Sequence, residues 1–246
     1  PEAWRRRIHF AAVDYYGDPA SASEDRRLAQ LAFHAAQVGM GPIASAAYLE
    51  LADRTRARHA YTEAERLYSR SLEQPGDRDA PKRRLAYRGR GLMRYRIGRY
   101  HDALTDFSCA REMASRDGDV AAQVEILLDE ATALDWMDEH RSAEERIAEA
   151  QALLPDPPPP LLQARLLLGR GRSAHRFSRE REAARVIEQA VAVGRCFCGT
   201  RPDGGRALPA LLAALTRDGI DAIGVDVNRP TLDDVFLTLT GRSLRD

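Results

Sequence analysis
Lysine and asparagine are almost missing from this sequence: Lys82 and Asn228 are the only ones. The remaining basic side chains are arginines, and 37 basic residues face 37 acidic ones. A balanced charge gives no whole-molecule attraction to nucleic acid or anionic lipid. The bias toward arginine and alanine is that of a GC-rich bacterial gene. Cysteine is scarce as well. Cys109, Cys196 and Cys198 make an odd number, so no disulfide framework follows, and a reducing cytoplasm fits. No apolar run approaches the roughly 20 residues that a spanning helix needs. The chain opens on Pro1 with no signal-peptide pattern after it, which reads as a piece of something longer. At 246 residues it is long enough for one large core or two.

Catalytic and metal-binding patterns are also missing. The six histidines are scattered without ligand spacing. Cys196 and Cys198 have no second pair and no neighbouring histidine, so a strand with both thiols on one face is expected there. No serine stands in a nucleophile turn. The expectation is therefore a non-enzyme, with no cofactor and no metal.

What is present is a repeat. The segments "TEAERLYSRS", "HDALTDFSCA", "RSAEERIAEA" and "REAARVIEQA" share a pattern of small, large and small residues. The triplets are Ala64/Tyr68/Ser71, Ala103/Phe107/Ala110, Ala143/Ile147/Ala150 and Ala183/Ile187/Ala190, at intervals of 39, 40 and 40. Twelve residues before each first alanine stands another small residue: Ala52, Gly91, Ala131, Gly171. Sixteen before stands a large one: Tyr48, Tyr87, Leu127, Leu167. Spacings of three, four and seven put residues on one helical face. Small residues there admit a neighbouring helix, and the large residue fills the gap beside it. One helix pair cannot bury its stripe alone, so pairs stack.

This pattern, over residues 42–194, resembles the tetratricopeptide repeat. That family has small residues at the eighth, twentieth and twenty-seventh positions and an aromatic at the twenty-fourth. Its usual period is about 34, so longer turns are expected between pairs, at "EQPGDRDAP" and at the stiff "PDPPPP". The whole stretch looks like the helical arrays of bacterial Ser/Thr kinases and AAA- or STAND-type regulatory ATPases. Upstream, Ala29/Phe33/Ala36 repeat the triplet. A helix over 22–38 is expected, and residues 1–20 carry no clear element.

One string pulls in another direction. "VEILLDEATALDW", residues 124–136, is similar to the Walker B and D-loop region of ABC-type ATPases. There the Asp holds Mg²⁺ and the Glu polarises water. Yet Ala131 falls in the register of Ala52, Gly91 and Gly171, which makes this stretch the first helix of the third repeat. Glu125 interrupts what would be an apolar strand. A phosphate-binding loop needs a glycine-rich turn and a lysine, and Lys82 sits in "APKRRL".

From Lys82 to Arg99 there are eight basic residues and no acid, with Tyr87 and Tyr95 between them. That could bind RNA or phosphate. A face paired with acidic neighbours such as Asp102 and Asp106 is expected instead. In tetratricopeptide arrays the first helices line a concave groove. The resemblance puts Arg56, Arg88, Tyr95, Arg96, Asp135, Trp136, Arg165, Arg172, His175 and Arg176 on or near it. Arginine and aromatic residues favour interface hot spots, and arginine grips carboxylates with two bonds. The groove should suit an acidic protein segment. It lacks the Asn that a chaperone-tail clamp requires.

After Gly194 the period stops. "IDAIGVDV" reads as a strand and "GRALPALLAALTRDG" as a helix. "RPTLDDVFLTLTG" and the surrounding residues 203–242 resemble the end of the accessory domain of drug-resistance-type ABC transporter ATP-binding proteins, without their ATPase core. The expected class is mostly α: an N-terminal helical lead-in (1–41), a four-repeat α-solenoid (42–194) and a small α/β tail (195–246). The expected function is a cytoplasmic protein–protein interaction scaffold of a bacterial regulatory protein. The alternative is an accessory fragment of a drug-export system.

Overall fold
The computed structural model describes residues 2–75 and 80–198. These form ten helices and no strand: α1 (Glu2–Gly17), α2 (Glu24–Gln37), α3 (Gly41–Ala57), α4 (Tyr61–Glu73), α5 (Ala80–Arg96), α6 (Tyr100–Arg116), α7 (Val120–Trp136), α8 (His140–Leu153), α9 (Pro160–Arg176) and α10 (Glu180–Cys198). The chain divides into two compact units, residues 1–157 and 158–246. The first holds α1 to α8 and the second holds α9 and α10. The expected tail, 203–242, lies outside the described residues, as does most of the "PGDRD" turn. None of the helices described is long and apolar enough to cross a membrane.

In the first unit each helix packs on its neighbours in sequence. In addition α5 touches both α3 and α7, so the first helices of three successive pairs share one side. The repeat triplets form the core as the spacing predicts. Ala64, Tyr68, Ser71, Ala103, Phe107, Ala110, Ala143, Ile147 and Ala150 are all buried. The small residue twelve positions upstream meets the large one directly. A Cβ on Gly91 would lie 2.6 Å from the Phe107 ring, so only glycine lets α5 and α6 approach this closely. In the second unit α9 and α10 repeat the arrangement: a Cβ on Gly171 would lie 2.6 Å from Ile187.

The turns inside the pairs are built alike. His59, Gly98, Asp138 and Ser178 all take left-handed backbone, with φ of 62°, 81°, 61° and 56°. The next residue's N–H returns to a carbonyl five positions back: Ala60 to Thr55, Arg99 to Arg94, Glu139 to Leu134, Arg179 to Ala174. This is the Schellman closure, which satisfies the orphan carbonyls of the helix end. Glycine is the unstrained occupant, and three of the four turns do without it.

Three expectations need correction. Residues 2–17 form a full helix, α1, whose Val13 is buried. On α2 the buried face is Leu28/Ala32/Ala35, one residue before the expected Ala29/Phe33/Ala36, and Phe33 is 46% exposed. Leu28, Ala32 and Ala35 join one core cluster with Val13 of α1 and with Ala44, Ala47 and Tyr48 of α3, so the packing of α2 against both neighbours sets its inward face. The backbone at Cys196 and Cys198 is helical, within α10, where a strand was expected.

Candidate functional site
Of the residues expected at a groove in the first unit, Arg56 lies on α3, Arg88, Tyr95 and Arg96 on α5, and Asp135 and Trp136 on α7. Arg56, near the end of α3, is exposed and sits 3.4 Å from Asp53. Tyr95 and Arg96 close α5. The Arg96 guanidinium lies 5.7 Å from the Tyr95 ring centre and 6.0 Å from that of Tyr61. Tyr95 in turn meets Tyr100 at 6.0 Å, and Tyr61 meets His59 at 5.8 Å. The result is a ladder of rings and one cation along the helix-pair turns. Cation–π contact of this kind contributes about 0.5–1 kcal/mol at an exposed site. Tyr61 and His59 were not expected there. The signal was present, since Tyr61 and Tyr100 open α4 and α6 one repeat apart.

Asp135 is buried on α7, 3.2 Å from Nδ1 of His140. Trp136 is half-buried at the end of the same helix. The other four residues belong to the second unit. Arg165 and Arg172 are half-buried on α9, while His175 and Arg176 are exposed at its end. His175 Nδ1 approaches Glu180 at 3.2 Å.

Arg88 has a different employment. Its Nε donates to Asp129 at 2.8 Å and its Nη1 donates to Glu125, tying α5 to α7. Burial pulls the guanidinium pKa down, but Asp129 and Glu125 together more than offset it, so the charge is held firmly. An acidic ligand would have to compete with two carboxylates already in place.

The same contact accounts for the Asp-Glu of residues 129 and 130. Both are buried on the helix α7. Asp129 accepts from Arg88. Glu130 accepts from Nε of Arg111 at 2.9 Å, and Nη1 of Arg111 is 3.6 Å from Glu149 on α8. Burial pushes the Glu130 carboxyl above its ordinary range, with Arg111 pulling the other way. The two adjacent carboxylates therefore diverge around the helix to separate arginines on α5 and α6.

The basic run on α5 is spent in the same way. Arg90 grips Asp106 with two bonds, Nη2 to Oδ1 at 2.7 Å and Nε to Oδ2 at 2.9 Å. Arg94 donates to Asp106 at 3.0 Å and to Glu65 at 3.0 Å. Arg84 reaches Asp119 at 2.8 Å. Arg99 pairs with Asp102 on the surface. Pairing with Asp102 and Asp106 agrees with expectation, though Asp106 is buried rather than solvated. Among the described residues no group of three or more His, Cys, Asp or Glu is placed to hold a metal ion. No protein-family model matches the chain, and no curated protein matches it either.

Proposed function
We propose that this chain is a non-catalytic scaffold for protein–protein interaction within a bacterial regulatory protein, working in the cytoplasm. The observation that supports this reading is the shared side of α3, α5 and α7, where successive helix pairs offer one surface. Helix pairs stacked in this way suit the binding of an extended segment. Arg56, exposed on α3, and Arg96, exposed on α5 over the rings of Tyr61 and Tyr95, favour acidic segments with apolar side chains. The arginines that carry this preference are Arg56 and Arg96, exposed near the ends of α3 and α5, rather than the half-buried Arg88.

The test is fluorescence anisotropy with two labelled peptides of equal length, one Glu-rich and one Lys-rich. The acidic peptide should bind more tightly. Reversing two rim charges, Arg56→Glu with Arg96→Glu, should weaken it about tenfold, since exposed charge contacts are each worth up to about 1 kcal/mol. Equal binding of the two peptides would refute the preference.

A further inference from the structure
The helix α1 has two apolar faces. One side, around Phe10 and Val13, packs on α2. The opposite side carries Trp4, Ile8, Ala11 and Tyr15. Trp4 is 69%, Ile8 47% and Tyr15 58% exposed. At 100° per residue, the spacing of four, three and four keeps these side chains in one stripe. It is the d-a-d-a pattern of a coiled-coil seam. In the same heptad Arg7 and Asp14 both fall at g, on one flank of the stripe, and both are exposed.

We infer that this stripe is a self-association site, at which α1 pairs antiparallel with α1 of a second copy about a twofold axis. The pattern is self-complementary. Antiparallel pairing sets Trp4 opposite Tyr15 of the second copy, and Ile8 opposite the small Ala11. Antiparallel seams bring g flanks together, so Arg7 of each copy meets Asp14 of the other, twice by symmetry. Helical side chains lean toward their own N-terminus, which closes the offset of about two residues between Arg7 and Asp14. A parallel pair would set Arg7 against the e flank, where Arg5 and Ala12 stand and no acid is present. Charge therefore selects the antiparallel pair. The seam is short, about 16 Å from Trp4 to Tyr15 at 1.5 Å per residue, so the association is weak and concentration-dependent.

Sedimentation equilibrium of the full chain tests this between about 5 and 300 μM. A monomer–dimer equilibrium is expected. Ile8→Glu should abolish it, with the circular dichroism unchanged because Ile8 faces away from α2. Arg7→Asp should weaken it about tenfold, as should Asp14→Arg, since each sets like charges together at two places. The double exchange, Arg7→Asp with Asp14→Arg, should restore association to within about threefold of the parent. A monomer throughout the range overturns the proposal and leaves the stripe to a partner helix or a lipid surface. A dimer that ignores Ile8→Glu overturns the site. A dimer that the double exchange does not restore overturns the pairing.

Discussion

Replacing Asp106 by Asn should be among the most damaging conservative changes this protein can undergo. The carboxylate is 1% exposed and accepts three bonds, two from Arg90 and one from Arg94. The amide keeps the shape and removes the charge. Two guanidiniums, each about one-sixth exposed, then share a neutral partner. Removing one member of a buried ion pair costs about 3–5 kcal/mol. Arg94 keeps Glu65 and Arg90 keeps Ser69, so the lower end, about 3 kcal/mol, is expected. Urea unfolding followed at 222 nm should show the midpoint falling with little change in slope. Asp102→Asn is the control on the same helix. Asp102 and its partner Arg99 are each 48% exposed, and an exposed pair contributes less than about 1 kcal/mol. Equal effects of the two changes would refute the view that the basic run of α5 is structural.

Gly91→Ala should destabilise by about 1–2 kcal/mol, because the new methyl meets the buried Phe107 ring, and helix propensity returns only part of that. Phe107→Leu in the same chain should make the alanine cheaper than in the parent, which a double-mutant cycle reads directly. Glu130 carries a pH signature. Its folded carboxyl is raised above the ordinary 4.5 by burial, Arg111 opposing. Its contribution therefore favours folding most below the unfolded value and is lost as pH rises through the folded one. Relative to Glu130→Gln, the parent should gain stability between pH 7 and pH 4.5, and a loss over that range would contradict the burial argument.

Much of the helix packing was legible in the sequence because small and large residues recur every 39 or 40 positions, and close helix contact demands that alternation. The register of α2 was not legible. Ala29/Phe33/Ala36 and Leu28/Ala32/Ala35 are equally good triplets, and only the neighbours α1 and α3 decide between them. The helix α1 was hidden because its two apolar faces blur any single stripe. The candidate residues were legible as members of α3, α5 and α7, but their contacts were not. Arg88 and Arg96 look alike in sequence, yet one is locked between Glu125 and Asp129 while the other lies over tyrosine rings. A search for opposite charges about one repeat apart would have found the first, since Arg88 lies 37 and 41 residues from its partners.

The arginine contacts between helices have a consequence for how such an array can change. Apolar stripes of alanine and glycine are nearly interchangeable, and by themselves would let one helix pair stand in for another. The charges forbid it. Arg88 and Arg111 find their acids on α7, and Arg90 and Arg94 find theirs on α4 and α6. The pair α5 and α6 thus carries an address that its own neighbours, α4 and α7, can read. Deleting residues 80–119 as a unit would remove Arg94, Arg88 and Arg111, the arginines that bond Glu65, Asp129 and Glu130. Lengthening by duplication would work at the copied boundary only if both addresses were copied with it. The repeat is periodic in shape and aperiodic in charge, and it is the second property that holds this chain to a single order of parts.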